Sequence, residues 1–512
     1  MKVCVACVLA AALVWSVAGL LPPPQKTYSI LMLLPYWGKS HRNLFVPLSE
    51  ALADRGHKVV MLTMVPESST HPNITEISFT LPNMTSLTSL SMFDFTTTSL
   101  RATYMPAMAR EMYKVPLVKK LYKERKQFDL IVVDYTFGQV VYPFVHDVSY
   151  ITIATMGMEP FLSGVMGNVL SPSYAPSLWS VYVGPLSFWQ RLHNTFLHIW
   201  PSILWKYWTL MPGVQREVWQ HFPDLPPLLD IERNQSLALM NSHFSITTPM
   251  PLLPSQVEVG AMHCRPAKPL PQDLEAWITG AGSAGVVYFS LGSIASGKSM
   301  PSQYRQVFLE AFRRLPQRVL WKYEGKLEGA SDNVRVSSWL PQQDLLAHPS
   351  VKVFISHGGL LSLQESIFHV TPLLVLPIFG DQTRNGMFVD SSGVGRALMW
   401  KELTVDRIVD VLTDIITNPR YQENAARISA SLRDQLTTPQ ERAVFWTEYV
   451  IRHRGAPQLR CPAAQLTWVE FLLLDMACLL LLVLLLLLLL IRRLLRAISA
   501  KLSGGYAKQK TT

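Results

Sequence analysis

The sequence predicts an α/β protein: two doubly wound parallel-sheet domains facing a cleft, followed by a single C-terminal transmembrane helix. Three observations predict it. Apolar runs alternate with turn signals and amphipathic stretches along most of the chain, a proline-rich stretch divides that pattern in two, and one leucine-rich segment stands near the C-terminus. The chain has 512 residues, 49% apolar and only 16% charged, against roughly 25% charged in soluble domains. That composition excludes disorder, collagen-like repeats and a small disulfide scaffold, and the length provides for two or three hydrophobic cores.

In chain order, Met1 and Lys2 precede the apolar run Val3 to Trp15 and small residues at 16–19, which reads as a secretory signal peptide over 1–18. Tyr28 to Leu34 is a nearly continuous apolar run. Leu44 to Ala53 has helical spacing, Asp54-Arg55-Gly56 marks a turn, and Lys58 to Leu62 reads as the next strand. Further strands are expected at Leu130 to Val133 and Tyr150 to Thr155. Runs apolar on both faces belong to parallel sheets covered by crossover helices. The stretch Pro185 to Pro212, with Trp189, Trp200, Trp205 and Trp208, suits either a core or a membrane- or lipophile-facing surface. Pro249 to Pro271 reads as a linker. Beyond it, strands recur at Val286 to Leu291, Val319 to Tyr323, Val353 to Ser356 and Leu373 to Pro377. The expected segments are thus a first domain over 19–265, a second over 266–455, a juxtamembrane linker over 456–470, a membrane helix over 471–491 and a basic tail over 492–512.

The helix from Phe471 to Ile491 is long enough to span a bilayer and is interrupted only by Asp475. The tail holds Arg492, Arg493, Arg496, Lys501, Lys508 and Lys510 and no acid, so the positive-inside rule places it in the cytosol and the bulk in the lumen, as a single-pass type I protein. Lys508 and Lys510 resemble a di-lysine retrieval signal, which points to the endoplasmic reticulum membrane. Six of the ten net positive charges lie in this tail and one more is Lys2, leaving about +3 elsewhere. The basic balance is therefore a topology signal and gives no support to nucleic-acid binding. Self-association is left open. Cys264 and Cys461 are the only cysteines expected in the lumen, so at most one intramolecular disulfide can form there. Sequons begin at Asn73, Asn83 and Asn234, where that compartment permits glycosylation.

Two segments suggest phosphate binding. Gly292 to Ser299 matches the pattern of P-loop NTPases after an apolar strand, but Pro301 disfavours helix where that loop needs one. It stands as a lesser alternative. In the other segment, the strand Val353 to Ser356 ends in His357-Gly358-Gly359 and a helix follows. Two glycines admit close backbone approach, and a helix start offers unpaired N–H groups to a diphosphate. Glu365, two turns on, can accept from ribose hydroxyls. Asp381 and Gln382 follow the next strand and suit sugar hydroxyls.

The block Trp339-Leu340-Pro341-Gln342-Gln343-Asp344, Ser356-His357-Gly358-Gly359, Gln364-Glu365 and Gly380-Asp381-Gln382 resembles the donor signature of UDP-glycosyltransferases. The likeness extends to Gly38-Lys39-Ser40-His41, Asp134, Ser290-Leu291-Gly292-Ser293 and the anchored C-terminus. The organisation is similar to membrane-bound, arthropod-like animal UDP-glucosyl- and UDP-glucuronosyltransferases. The resemblance implies two Rossmann-like domains of GT-B type, the first binding acceptor and the second UDP-sugar. It implies that Trp339 stacks on uracil, Gln342 contacts uridine, and His357, Gly358 and Gly359 hold the diphosphate. Gly292 and Ser293 then approach the phosphates, Glu365 binds ribose, and Asp381 and Gln382 hold the sugar.

Sugar transfer to a hydroxyl needs a base and a group that orients it. His41, in the loop after the first strand, and Asp134, at a strand's carboxyl end, can meet at one sheet edge. The resemblance gives them those roles. It also implies inversion at the anomeric carbon, no cofactor beyond the UDP-sugar co-substrate and no metal, and the chain has no Asp-x-Asp pair. His57 and His369 read as structural. The acceptor is expected to be a small lipophilic aglycone, read by loops around 85–120 and 160–210, with glucose favoured over glucuronic acid as donor. A catalytically silent, membrane-tethered lipophile binder is the non-enzymatic alternative. Leu361 stands where many vertebrate relatives have Asn, and Val370 and Ala261 stand where Gly is usual.

Overall fold

The computed structural model describes residues 21–65, 69–81, 93, 100–293, 295 and 297–509. The signal segment 1–18, the Asn83 sequon and Lys510 lie outside the described residues. The described chain forms two compact units, divided after Arg460.

The first unit holds two sheets, and every strand pair in both is parallel. The first has the order β3-β2-β1-β4-β5-β6-β7, where β2 is Lys58–Thr63, and the second β10-β9-β8-β11-β12-β13, where β9 is Arg318–Lys322. Among these strands, β1 (Ser29–Leu34), β4 (Leu130–Asp134), β5 (Tyr150–Ala154), β8 (Val286–Ser290), β11 (Val351–Ser356) and β12 (Leu373–Val375) carry the site. Chain order reverses between β1 and β4 and between β8 and β11, the points where a parallel sheet opens a crevice at its carboxyl edge.

Side-chain alternation explains the continuous apolar runs. Leu31 and Leu33 point into a core on one face of the first sheet, while Ile30, Met32 and Leu34 join a second core on the other. Val287 and Phe289 likewise oppose Val286 and Tyr288 across the second sheet. Both faces are dry, so neither side of these strands alternates with polar residues.

Five of the observed strands have no counterpart among the expected ones. They include β3 (Ile74–Ser78), β6 (Leu237–Met240), β10 (Val334–Ser337) and β13 (Gly395–Ala397). The fifth, β7 (Gln256–Glu258), lies inside the stretch read as a linker and pairs with β6, so part of that stretch is an edge of the first sheet. Three residues are too short a run to show a period.

Two boundaries also differ. The helix Pro439–Arg452, expected in the second domain, packs Ala443, Val444 and Val450 into the first sheet's core. Its Glu448 accepts from Arg55 Nε at 2.6 Å and lies 3.0 Å from His57 Nε2. The segment 266–455 therefore does not end as one domain; its last helix returns to the first sheet, for which its apolar face is complementary.

The aromatic stretch is partly buried and partly exposed. Trp205 is buried against Trp179, but the helix Phe188–Ile203 is inverted. It buries Asn194 and His198, which hydrogen-bond Ser177 N, Pro172 O and Ala175 O, and turns Phe188, Leu192, Phe196 and Ile199 outward. Trp189 and Trp208 are 72% and 62% exposed.

The second unit contains the helix Leu474–Gln509, of which Leu474–Lys501 is long and apolar enough to cross a membrane. Phe471 ends a separate short helix, and Leu473 has φ +52, so the apolar helix starts at Leu474 rather than 471. It also runs on past Ile491 into the basic residues, which form its C-terminal continuation instead of a distinct tail. Cys264 and Cys478 are free thiols.

Candidate active site

The site grows from strand ends. Leu33 pairs with Val133, so Asp134 emerges level with Leu34, from which the chain runs into the helix α1 (Lys39–Asp54). His41 lies in the first turn of α1 rather than in a loop. Its Nδ1 is hydrogen-bonded to Asp134 Oδ2, and Thr155 Oγ1 lies 3.3 Å from the same nitrogen. Asp134 is fully buried, and its other oxygen accepts from Thr136 N at 2.9 Å. A buried carboxylate can only accept, so Nδ1 carries the proton and Nε2 is left as the basic nitrogen. The Tyr36 ring packs 4.3 Å from the imidazole and stacks on Phe137, which restricts its rotation.

In the second sheet Ser356 pairs with both Ser290 and Val375, so three loops open side by side. His357-Gly358-Gly359 leads from β11 into the helix α2 (Leu360–Phe368). Gly358 has φ +81, and a Cβ there would lie 2.5 Å from Val375 Cγ1. Gly292 (φ +86) and Gly359 clasp the His357 ring, since a Cβ on either would approach it to 2.6 Å. Burial first, then the Lys322 charge, lowers the pKa of His357 to about 4. Its ring is neutral, and Nδ1 has no hydrogen-bond partner among the described residues. Such an orphaned buried atom fits a site that waits for a ligand.

Glu365, in α2, accepts from Gln342 Nε2 at 2.6 Å, and His263 Nε2 is 3.5 Å from its other oxygen. Burial raises its pKa to about 7. Gln342 is fixed further by Ser362 Oγ at 3.0 Å and the Tyr288 hydroxyl at 3.1 Å. Trp339 is 53% exposed, with Lys39 Nζ 4.2 Å and Lys322 Nζ 5.9 Å from its ring. Its open indole face is available to a flat ring.

After β12, Asp381 precedes the helix α3 (Gln382–Ser392). Asp381 accepts from Asn385 Nδ2 at 2.7 Å, and burial raises its pKa against the opposing charges of Arg384 and His41. Gln382 Oε1 accepts from Ile378 N and Phe379 N at 2.8 and 3.0 Å, which leaves its amide nitrogen as the group to offer a ligand.

One cavity of about 450 Å³ joins these groups. His41, Gly292, Ser293, Trp339, Gln342, His357, Gly359, Glu365, Asp381 and Gln382 line it, while Asp134 and Gly358 stand behind the lining. The size suits a nucleotide-sized ligand. Sequence reasoning missed Tyr36, Thr155, His263, Tyr288, Lys322 and Arg384. Lys322 ends the strand Arg318–Lys322, a position that could have marked it.

Among its described residues, the P-loop-like segment lacks the helix start that a P-loop needs. Gly297–Ser299 is a single 3-10 turn, the next helix starts only at Ser302, and Gly297 N already donates to Glu324 at 2.8 Å. Of the other sequons, Asn234 is exposed, whereas Asn73 uses its Nδ2 to donate to Ala53 O at 3.2 Å. His57 is fully buried and hydrogen-bonded to Tyr28 N at 3.1 Å.

Comparison with known proteins follows the same lines. The family model "UDP-glucoronosyl and UDP-glucosyl transferase" matches residues 117–509. The chain is 34% identical to "UDP-glycosyltransferase UGT5" of Dactylopius coccus over 89% of each protein. It is 33% identical to "UDP-glucosyltransferase 2" of the same insect, over 88% of this chain and 89% of that protein. The solved structure of "the Glycotransferase of kitacinnamycin" superposes with a TM-score of 0.55 at 18% identity, covering 83% of this chain and 99% of that one.

Proposed function

The chain belongs to the UDP-glycosyltransferase family and is an enzyme of that class, and we propose that it transfers a hexose, with inversion and without a metal, from a UDP-sugar to a hydroxyl of a small lipophilic acceptor. Glucose is the favoured donor sugar, a reading supported by the name of the second insect relative, UDP-glucosyltransferase 2; glucuronic acid is the alternative. The observation that carries the catalytic reading is the His41–Asp134 pair on the wall of the cavity that Trp339, His357, Glu365 and Asp381 also line.

In this reading Trp339 stacks on uracil, Gln342 meets the uridine and Glu365 binds the ribose. The diphosphate lies against His357, Ser293 and the amides of Gly292, Gly358 and Gly359, at the positive end of α2. Asp381 and Gln382 hold the sugar hydroxyls. His41 Nε2 takes the acceptor proton as the acceptor oxygen attacks the anomeric carbon opposite UDP, and Asp134 stabilises the imidazolium that forms. Amides and helix dipole stabilise the charge that develops on the leaving diphosphate, a role for preorganised donors. No cofactor enters the scheme.

The apolar helix Leu474–Lys501 is read as the membrane anchor, with the catalytic unit in the endoplasmic reticulum lumen and the basic end in the cytosol. Asn234, being exposed, is the better placed of the described sequons for a glycan.

Release of UDP from UDP-glucose and UDP-glucuronate in the presence of a panel of phenols and steroids tests the proposal, with products identified by mass spectrometry. Turnover with one donor is expected, and no turnover with any donor would favour a silent lipophile binder.

A further inference from the structure

Two loops of the two sheets touch behind the cavity. Residues 155–159 leave β5 of the first sheet, and Gly157, at φ +76, packs beside the second sheet's side, where an added Cβ would lie in ordinary contact, 3.4 Å, with Leu360 Cδ2. Arg384, in the first turn of α3, reaches into the same loop. Its Nη2 donates to Met156 O at 3.2 Å and its Nη1 to Met158 O at 3.3 Å. Both acceptors are backbone carbonyls, so a fork of two donors fixes the position of the chain itself rather than of a mobile side chain.

The neighbours on each side of that clamp are the reacting groups. On one side, Asp381 and Gln382 stand three and two residues before Arg384, at the start of the same helix, and both line the cavity. On the other, Thr155 is the residue before Met156, its hydroxyl lies 3.3 Å from His41 Nδ1, and its carbonyl accepts from Asn241 Nδ2 at 3.1 Å. A continuous set of direct contacts thus runs from the sugar-facing turn, through one guanidinium, to the residue beside the base.

We propose that Arg384 is a positioning residue that holds the sugar-binding turn in register with His41, and so decides how far transfer to the acceptor outruns transfer to water. The inference rests on the proposed roles of His41, Asp381 and Gln382. In transfer, the acceptor oxygen bonds to the anomeric carbon as the bond from that carbon to the β-phosphate oxygen breaks. The electron pair leaves on UDP and the acceptor proton passes to His41. In hydrolysis water supplies the oxygen and the proton, and the products are free sugar and UDP. A bulky acceptor tolerates one geometry between the base and the anomeric carbon, whereas a single water tolerates several. Loosening the register therefore penalises transfer more than hydrolysis.

The full-length enzyme in detergent micelles, given UDP-glucose and 4-nitrophenol, tests this in Arg384→Ala, Arg384→Lys and His41→Ala. A misplacement near 1 Å can cost about a hundredfold in rate, so Arg384→Ala is expected to lower the transfer kcat by roughly ten- to a hundredfold. The ratio of free glucose to glucoside should rise at the same time, while the Kd for UDP, by calorimetry, stays within about twofold, since no uridine contact is touched. Arg384→Lys, which keeps the charge but lacks the fork, should fall between. It also serves should the alanine variant fail to fold. An unchanged kcat and product ratio overturns the inference, as does a loss of transfer, hydrolysis and UDP binding in equal proportion, which marks a purely structural role. His41→Ala separates the layers: wild-type turnover in that variant defeats the catalytic reading itself, whereas its loss of turnover beside a normal Arg384→Ala defeats only the coupling.

Discussion

On the second sheet's side of the cavity, most polar groups come from one stretch of 44 residues, Trp339 to Gln382, that visits consecutive strand ends. On the first sheet's side they come from separate places: His41 from α1, Asp134 and Thr136 from the end of β4, and Thr155 from the end of β5. The same strand order serves both halves. The difference lies in how each builds polarity. The second sheet's side uses short loops, glycine amides and one helix start, which are local features of sequence. The first sheet's side uses a pair separated by 93 residues that only the sheet brings together. Binding of UDP and activation of the acceptor should accordingly be separable by substitution.

The largest separation is expected from His41→Ala. Loss of a general base lowers rates by about 10²–10⁴-fold, and kcat should fall by that order while the Kd for UDP is unchanged. A parallel loss of UDP affinity would break the division between the halves. The converse substitution, Trp339→Ala, removes an aromatic platform worth about 1–3 kcal/mol per stacked base. Calorimetry should show UDP weakened by that amount, with the His41–Asp134 pair intact.

The donor half should also be the more acid-sensitive. His357 and His263 have folded pKa values of about 4, lowered chiefly by burial, beneath the 6.5 of a free imidazole. Both are neutral in the fold, so their stabilising contribution is complete above pH 6.5 and is lost as pH falls from 6.5 towards 4. Thermal midpoints measured from pH 7 to 5 should decline, and His357→Ala should flatten the slope. Glu448 behaves in a lower window: hydrogen bonds from His57 and Arg55 outweigh its burial and hold its pKa at about 2, so its contribution is lost only below pH 4.5.

The smallest expected effect concerns backbone strain. Val370 and Ala261 both have φ +62. A β-branched residue in the left-handed region costs on the order of 1–3 kcal/mol, partly offset by glycine's greater freedom when unfolded. Val370→Gly should raise stability by about 1 kcal/mol, read as a rise of a few degrees in the thermal midpoint with kcat unchanged.

Much of the fold and the donor site was legible because its signals are local. Apolar runs such as Tyr28 to Leu34 mark strands dry on both faces, and a His-Gly-Gly turn between a strand and a helix keeps its meaning wherever the strand is placed. The short strand β7, hidden among prolines, carries no period to detect. The helix Phe188–Ile203 turns apolar residues outward, which its sequence does not reveal, because period alone does not say which face turns inward. Here Asn194 and His198 face in, since backbone carbonyls at 172 and 175 are there to receive them.

By itself the sequence determined that this chain has two parallel sheets, a nucleotide-sugar signature and an apolar C-terminal helix, since each follows from residues near one another in the chain. Only the tertiary structure decided that the last helix of the second segment covers the first sheet, that Gly292 and Gly359 clasp His357, and that Arg384 grips the loop beside the base. Those contacts join residues far apart in the chain, and their free energy depends on burial and hydrogen-bond geometry that exist only once both sheets have formed.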